Sequence, residues 1–152
     1  MRYVLISLMV LGMVGCFGPK PLTKVNFLSL PETNNGRALP VHVIPVDESL
    51  RVKLERMTAE EWFISDDVNT LTGIKKRVLR GAQSEVVNAE RRNDRNDFMV
   101  IVDFADVEGA DQQKLLIGDK YHRSNDVYVL VERDRLRIVA KSVYDDYMRS
   151  SR

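Results

Sequence analysis

FMVIVDF, residues 98–104, decides the fold of this 152-residue chain. Phe98, Val100 and Val102 form one alternating set, Met99 and Ile101 the other, and both sets are apolar. Successive side chains of a strand point to opposite faces, so a strand apolar on both belongs in the centre of a sheet. No other stretch of the chain carries so strong a strand pattern.

The neighbouring segments supply its partners. Downstream, residues 105–113 form a loop around Gly109, and residues 114–117 predict a short edge strand. Residues 127–131 and 136–140 predict a closing hairpin around Arg133 and Asp134, without an Asn-Gly or Asp-Gly turn signal. Ser142 is placed to cap a last amphipathic turn or two, with Val143, Tyr144, Tyr147 and Met148 on one side. Upstream, the polar run 90–97 is a loop, and residues 75–79 and 84–89 predict short strands separated by Arg80 and Gly81. Short strands broken by turns every ten residues or so predict a two-sheet β-sandwich, mainly β in class.

Residues 47–71 change period. Asp47 or Ser49 can cap a helix in which Leu50, Leu54 and Met57 recur at helical spacing. Thr58-Ala59-Glu60-Glu61 reads as a capping box opening a second helix, whose Trp62 and Phe63 are expected to plug the insertion onto the sheet. Before it, ALPVHVIPV (residues 38–46) is a strand. Its two prolines, each lacking a ladder donor, predict a place at the start or edge of a sheet. Residues 23–30 predict the first strand, in which Leu22, Val25 and Phe27 alternate with polar residues. Between these two strands lies a cluster of turn-formers, Pro31, Glu32, Thr33, Asn34, Asn35, Gly36 and Arg37. It is expected to be exposed and without an apolar anchor. It is either a connector or a contact loop, since loops set on a rigid sheet carry specific contacts.

The N-terminus reads MRYVLISLMVLGMVGC. Arg2 gives a positive start, residues 3–14 are apolar, and Gly15 precedes Cys16, which is the anatomy of a secretory signal peptide. About a dozen apolar residues is shorter than the roughly 20 a spanning helix needs. Met13-Val14-Gly15-Cys16 resembles the lipobox of bacterial lipoproteins, in which the thiol carries a diacylglycerol and cleavage falls just before it. Two alternatives are an ordinary thiol behind a conventional signal and an uncut anchor; lipidation gives the single cysteine of the chain a job. The resemblance implies residues 1–15 as signal, 16–22 as a lipidated tether and 23–152 as a periplasmic domain. Phe17, where Asp would favour inner-membrane retention, points to the periplasmic face of the outer membrane. Each buried CH₂ is worth about 0.8 kcal/mol, so several acyl chains fix a protein to a bilayer. Seven tether residues reach roughly 20–25 Å.

Composition narrows the function classes. Hydrophobic residues make up 44% and charged residues 30%, as in ordinary globular domains. Without Arg2 the basic and acidic residues are equal, 22 of each, which gives no case for nucleic acid or for a broad attraction to anionic lipid. Catalytic machinery is not evident. The two histidines, His42 in a strand and His122 in a polar stretch, match no zinc spacing, and neither a nucleophile elbow nor a phosphate loop is present. The acidic run Asp103, Asp106, Glu108, Asp111 lacks calcium-loop spacing. Glu85, Glu90, Asp66, Asp67, Asp145 and Asp146 read as solvated surface. The expectation is a non-enzymatic binding protein with no cofactor, no metal and no small-molecule substrate.

A lipobox, a first strand, an Asn-rich loop and then GRALPVHVIPVD together resemble the TssJ (SciN) family of type VI secretion lipoproteins. Asn35-Gly36-Arg37 and Pro40-Val41-His42-Val43 sit where that family carries Asn, a gap and Pro-Val-x-Val. Glu61-Trp62-Phe63, Arg77-Val78-Leu79-Arg80-Gly81 and FMVIVDFADVEGA resemble later family segments. Ile44-Pro45-Val46 stands where an aromatic-Gln-Leu is usual, which marks a divergent member. The resemblance implies a transthyretin-like sandwich with a small helical insertion. It also implies a role in tethering the trans-envelope complex, by binding the periplasmic domain of the IcmF-like inner-membrane subunit (TssM). The implied contact loop is Glu32, Thr33, Asn34, Asn35, Gly36 and Arg37. Competing readings are a pilotin-like assembly lipoprotein, a small periplasmic enzyme and a calcium-binding module.

Overall fold

The computed structural model describes residues 22–91, 97–107, 110–121 and 126–150. Eight strands form two four-stranded sheets. β1 (Leu22–Ser29), β4 (Gln83–Glu90), β7 (Asp126–Val131) and β8 (Leu136–Val139) lie in the order β4-β1-β7-β8. β2 (Leu39–Val46), β3 (Lys75–Leu79), β5 (Asp97–Val102) and β6 (Lys114–Ile117) lie in the order β3-β2-β5-β6. Every pairing is antiparallel except β1 with β7.

Alternation along each strand builds the core between the sheets. Val25 and Phe27 of β1, Val87 of β4 and Val127, Val129 and Val131 of β7 face Val41 and Val43 of β2 and Phe98, Val100 and Val102 of β5. The other face of β5, Met99 and Ile101, joins Ile44 and Val46 of β2 in a second cluster. α1 (Glu48–Arg56), α2 (Ala59–Ile64) and the single turn α3 (Asp67–Thr70) cover that face, with Leu54, Ala59 and Trp62 fully buried. On the opposite outer face, α4 (Lys141–Ser150) lays Tyr144 against Leu28, Leu30 and Leu130. β5 is therefore apolar on both sides because one side meets the other sheet and the other side meets the helices.

Local signals explain the helices. Asp47 caps α1 by accepting from Leu50 N–H at 2.8 Å, and Lys114 Nζ donates to the carbonyls of Glu55 (2.7 Å) and Met57 (2.9 Å) at its other end. The Thr58–Glu61 capping box opens α2. α4 runs for ten residues from Lys141, longer than the turn or two expected from Ser142.

Two sequence expectations fail here. β2 is not an edge strand; it lies between β3 and β5. Its prolines are tolerated because of their positions in the ladder. Pro40 O accepts from Asp103 N–H at 3.3 Å where the β2–β5 ladder closes. Pro45, an odd number of residues on, turns its missing donor to the β3 side, where pairing has already ended at Val43. Leu22 departs too: it is 42% exposed, off the face that Val25 and Phe27 bury.

Candidate functional site, the loop between the first two strands

The loop joining β1 to β2 is a clasp. Pro31, Glu32, Asn35, Gly36 and Arg37 are exposed as expected, but Thr33 and Asn34 are buried, contrary to a fully exposed loop. Their burial is possible because main-chain partners satisfy their polar atoms. Thr33 Oγ1 accepts from Leu30 N–H (2.8 Å) and donates to Val131 O (2.6 Å). Asn34 N–H donates to Arg133 O (2.9 Å), its Nδ2 to Ala38 O (2.9 Å), and its Oδ1 accepts from Ala105 N–H (2.8 Å).

Asn35 stays exposed yet is gripped from both sides. Its Nδ2 donates to Asp106 Oδ2 and its Oδ1 accepts from Arg133 Nε, each at 2.9 Å. The backbone is left-handed at Asn34 (φ 49°) and Asn35 (φ 52°), and Gly36 follows at φ 76°. Asn is among the few non-glycine residues that adopt this region readily, which is why the sequence here is Asn-Asn-Gly. The loop is thus bonded to the β7–β8 turn and to the segment after β5, bridging both sheets. Asp106 and Arg133 were invisible as members of this site in the sequence, because they lie 71 and 98 residues away from Asn35.

Position matters as much as rigidity. β1 begins at Leu22, the last residue of the expected tether, and ends next to the loop. Seven steps of about 3.3 Å separate the two ends by roughly 23 Å.

The other sequence candidates disperse. His42 is 7% exposed and its Nδ1 accepts from Trp62 Nε1–H at 3.0 Å. Burial, then the nearby Lys76 charge, lower its pKa to about 4, so it is neutral at pH 7. Phe63 packs its ring 4.6 Å from the same imidazole. Asp103 is raised above its ordinary value by desolvation and then by Glu60, while Asp106 is committed to Asn35. His122, Glu108 and Cys16 lie outside the described residues, as does the side chain of Asp111. Among the described residues no group of three or more potential ligands could hold a metal ion. Asp67 pairs with Lys53, Glu85 with Arg77, Asp145 with Lys141 and Asp146 with Arg149, all surface ion pairs. A shallow groove of about 660 Å³ between α1 and α2 is lined by Ser49, Val52, Lys53, Arg56, Met57 and Glu61. These residues do not form a nucleophile–base pair.

A rigid two-sheet sandwich presenting a pinned polar loop is built for binding. No protein-family model matches the sequence, and no curated protein matches it. Solved structures do. The chain resembles Serratia marcescens Lip, a membrane-bound component of the type VI secretion system, with TM-score 0.66 and 11% identity over 80% of this chain and 98% of that one. It is similar to the type VI lipoprotein TssJ1 from Pseudomonas aeruginosa, with TM-score 0.66 and 11% identity over 81% and 98%. It also matches a chain in a structure of the type VI TssM C-terminal domain from EAEC, with TM-score 0.66 and 10% identity over 78% and 98%. At such identities these likenesses establish the fold, which is the TssJ-like sandwich expected from the sequence. These neighbours are secretion-system components rather than enzymes.

Proposed function

We propose that this chain is a lipoprotein of a type VI secretion envelope complex, a divergent relative of TssJ, anchored by lipid on Cys16 to the periplasmic face of the outer membrane. There it holds the complex by binding the periplasmic domain of the IcmF-like subunit TssM through the loop from Glu32 to Arg37. It needs no cofactor beyond the covalent lipid and performs no catalysis. The observation that carries this reading is the shared fold with two type VI lipoproteins over nearly their whole length. The geometry supports it: β1 separates the tether from the loop, so a lipid at one end leaves the loop facing away from that membrane. Clasping by Arg133, Asp106 and Ala105 means little ordering entropy remains to be lost on docking.

Two experiments test it. Cys16→Ser should move the folded protein from the membrane to the soluble periplasmic fraction and abolish palmitate labelling; labelling that persists refutes the anchor. Asn35→Ala combined with Arg37→Glu should abolish co-purification with the TssM-like periplasmic domain while leaving the melting temperature within a few degrees. Undiminished capture refutes the loop.

A further inference from the structure

The four free sheet edges are not alike. β6 and β8 are four residues long. The β3 edge is blunted, because Arg77 Nη1 donates to Lys76 O at 2.8 Å while its Nε is held by Glu85. Short edges and inward-pointing charges are devices against unwanted pairing. The β4 edge has neither. It is eight residues long and contains no Lys, Arg or Pro.

Register shows what that edge offers. Leu30 N–H bonds Val131 O, so even-numbered positions of β1 face β7 and odd-numbered ones face β4. Through the antiparallel β1–β4 register, Gln83, Glu85, Val87 and Ala89 spend their main-chain groups on β1. Ser84, Val86 and Asn88 therefore direct N–H and C=O outward, where no strand of the fold lies. Their side chains are exposed and uncharged, with Val86 48% accessible.

The flank of this edge is cationic. β3 lies beside β4 across the sandwich, joined to it by the Arg77–Glu85 pair at 2.9 Å. Lys75 and Arg80 belong to no ion pair among the described residues. A strand added to β4 would turn one face towards these cations and the other alongside Val86.

We propose that the β4 edge accepts an extended segment of a protein partner by strand addition, the segment alternating acidic residues, facing Lys75 and Arg80, with small apolar ones beside Val86. Main-chain bonds at Ser84, Val86 and Asn88 supply affinity and the alternating side chains supply selectivity. A second copy of this chain is a poorer occupant, because it would bring two cationic β3 flanks together. The site is separate from the β1–β2 loop and does not depend on it.

The test uses the full lipidated chain in detergent and an end-capped octapeptide of alternating Glu and Val, with the Lys/Val peptide as control. The expected result is saturable binding of the Glu/Val peptide that slows amide exchange at Ser84, Val86 and Asn88, with the Lys/Val peptide inert. Val86→Pro removes a donor the fold does not use and should weaken binding about tenfold. Should that variant misfold, Lys75→Glu with Arg80→Glu, far from the pairing groups, should switch preference to the Lys/Val peptide. Unchanged exchange at those three amides overturns the proposal, as does equal binding of both peptides. Equal protection by phosphatidylglycerol vesicles would also overturn it, as would protection that grows with protein concentration in the absence of peptide.

Discussion

Lowering the pH from 7 to 5 challenges the contact that locks the helices to the second sheet. His42 Nδ1 accepts the Trp62 indole N–H at 3.0 Å, so protonating that nitrogen turns an acceptor into a donor facing a donor. Burial, reinforced by Lys76, holds the folded pKa at about 4 against 6.5 for the free side chain. The folded pKa is depressed, so the unfolded chain binds the proton more readily. Stability is intact above pH 6.5 and falls as the pH drops towards 4. At about 1.4 kcal/mol per decade the loss is bounded near 3 kcal/mol, and at pH 5 it reaches about 2 kcal/mol. For a domain of this size that is roughly 6–10 °C in Tm. Thermal and urea melts of residues 17–152 between pH 7.5 and 4.5 measure it, with His42→Gln as the comparison, since a glutamine oxygen can still accept from Trp62 but does not titrate. Wild type should lose that extra stability and the variant should not. Equal losses in the two proteins would refute the assignment of the acid sensitivity to His42.

Other substitutions separate scaffold from site. Asn34→Ala removes the bonds to Ala105 N–H and Ala38 O and leaves a left-handed φ to a residue that resists it. It should cost about 2–4 kcal/mol in urea unfolding, and weaken partner capture because the loop is no longer pre-ordered. Trp62→Ala empties the centre of the helical cluster and should cost about 3–5 kcal/mol, with loss of near-ultraviolet dichroism from the indole. Tyr144→Phe deletes only the hydroxyl that donates to Phe27 O at 3.2 Å, so a loss of about 1 kcal/mol is expected and α4 stays docked, as far-ultraviolet dichroism will report.

The free β4 edge and the clasped loop sit on one fold for a common reason. A sandwich whose two outer faces are both capped by helices has few surfaces left for binding: loops and edges. Here the helices bury Ile44, Val46, Met99 and Ile101 on one side and Leu28 and Leu130 on the other.

Much of this was written in the chain itself. Residues 98–104, apolar at every alternating position, could only be a strand buried on both faces, and periodicity alone fixed the helical insertion and its Thr58–Glu61 cap. Those are local signals, carried by side chains within a few residues of each other. The central place of β2 was illegible, because whether a proline breaks a ladder depends on which neighbour lies across from it, and β3 ends before Pro45. The clasp was hidden for the same reason. Thr33 and Asn34 look like solvent-loving turn residues until Val131, Arg133 and Ala105 arrive from far along the chain to satisfy them. Polarity is a property of the residue, but whether it is spent on water or on the protein is decided only once the two sheets close.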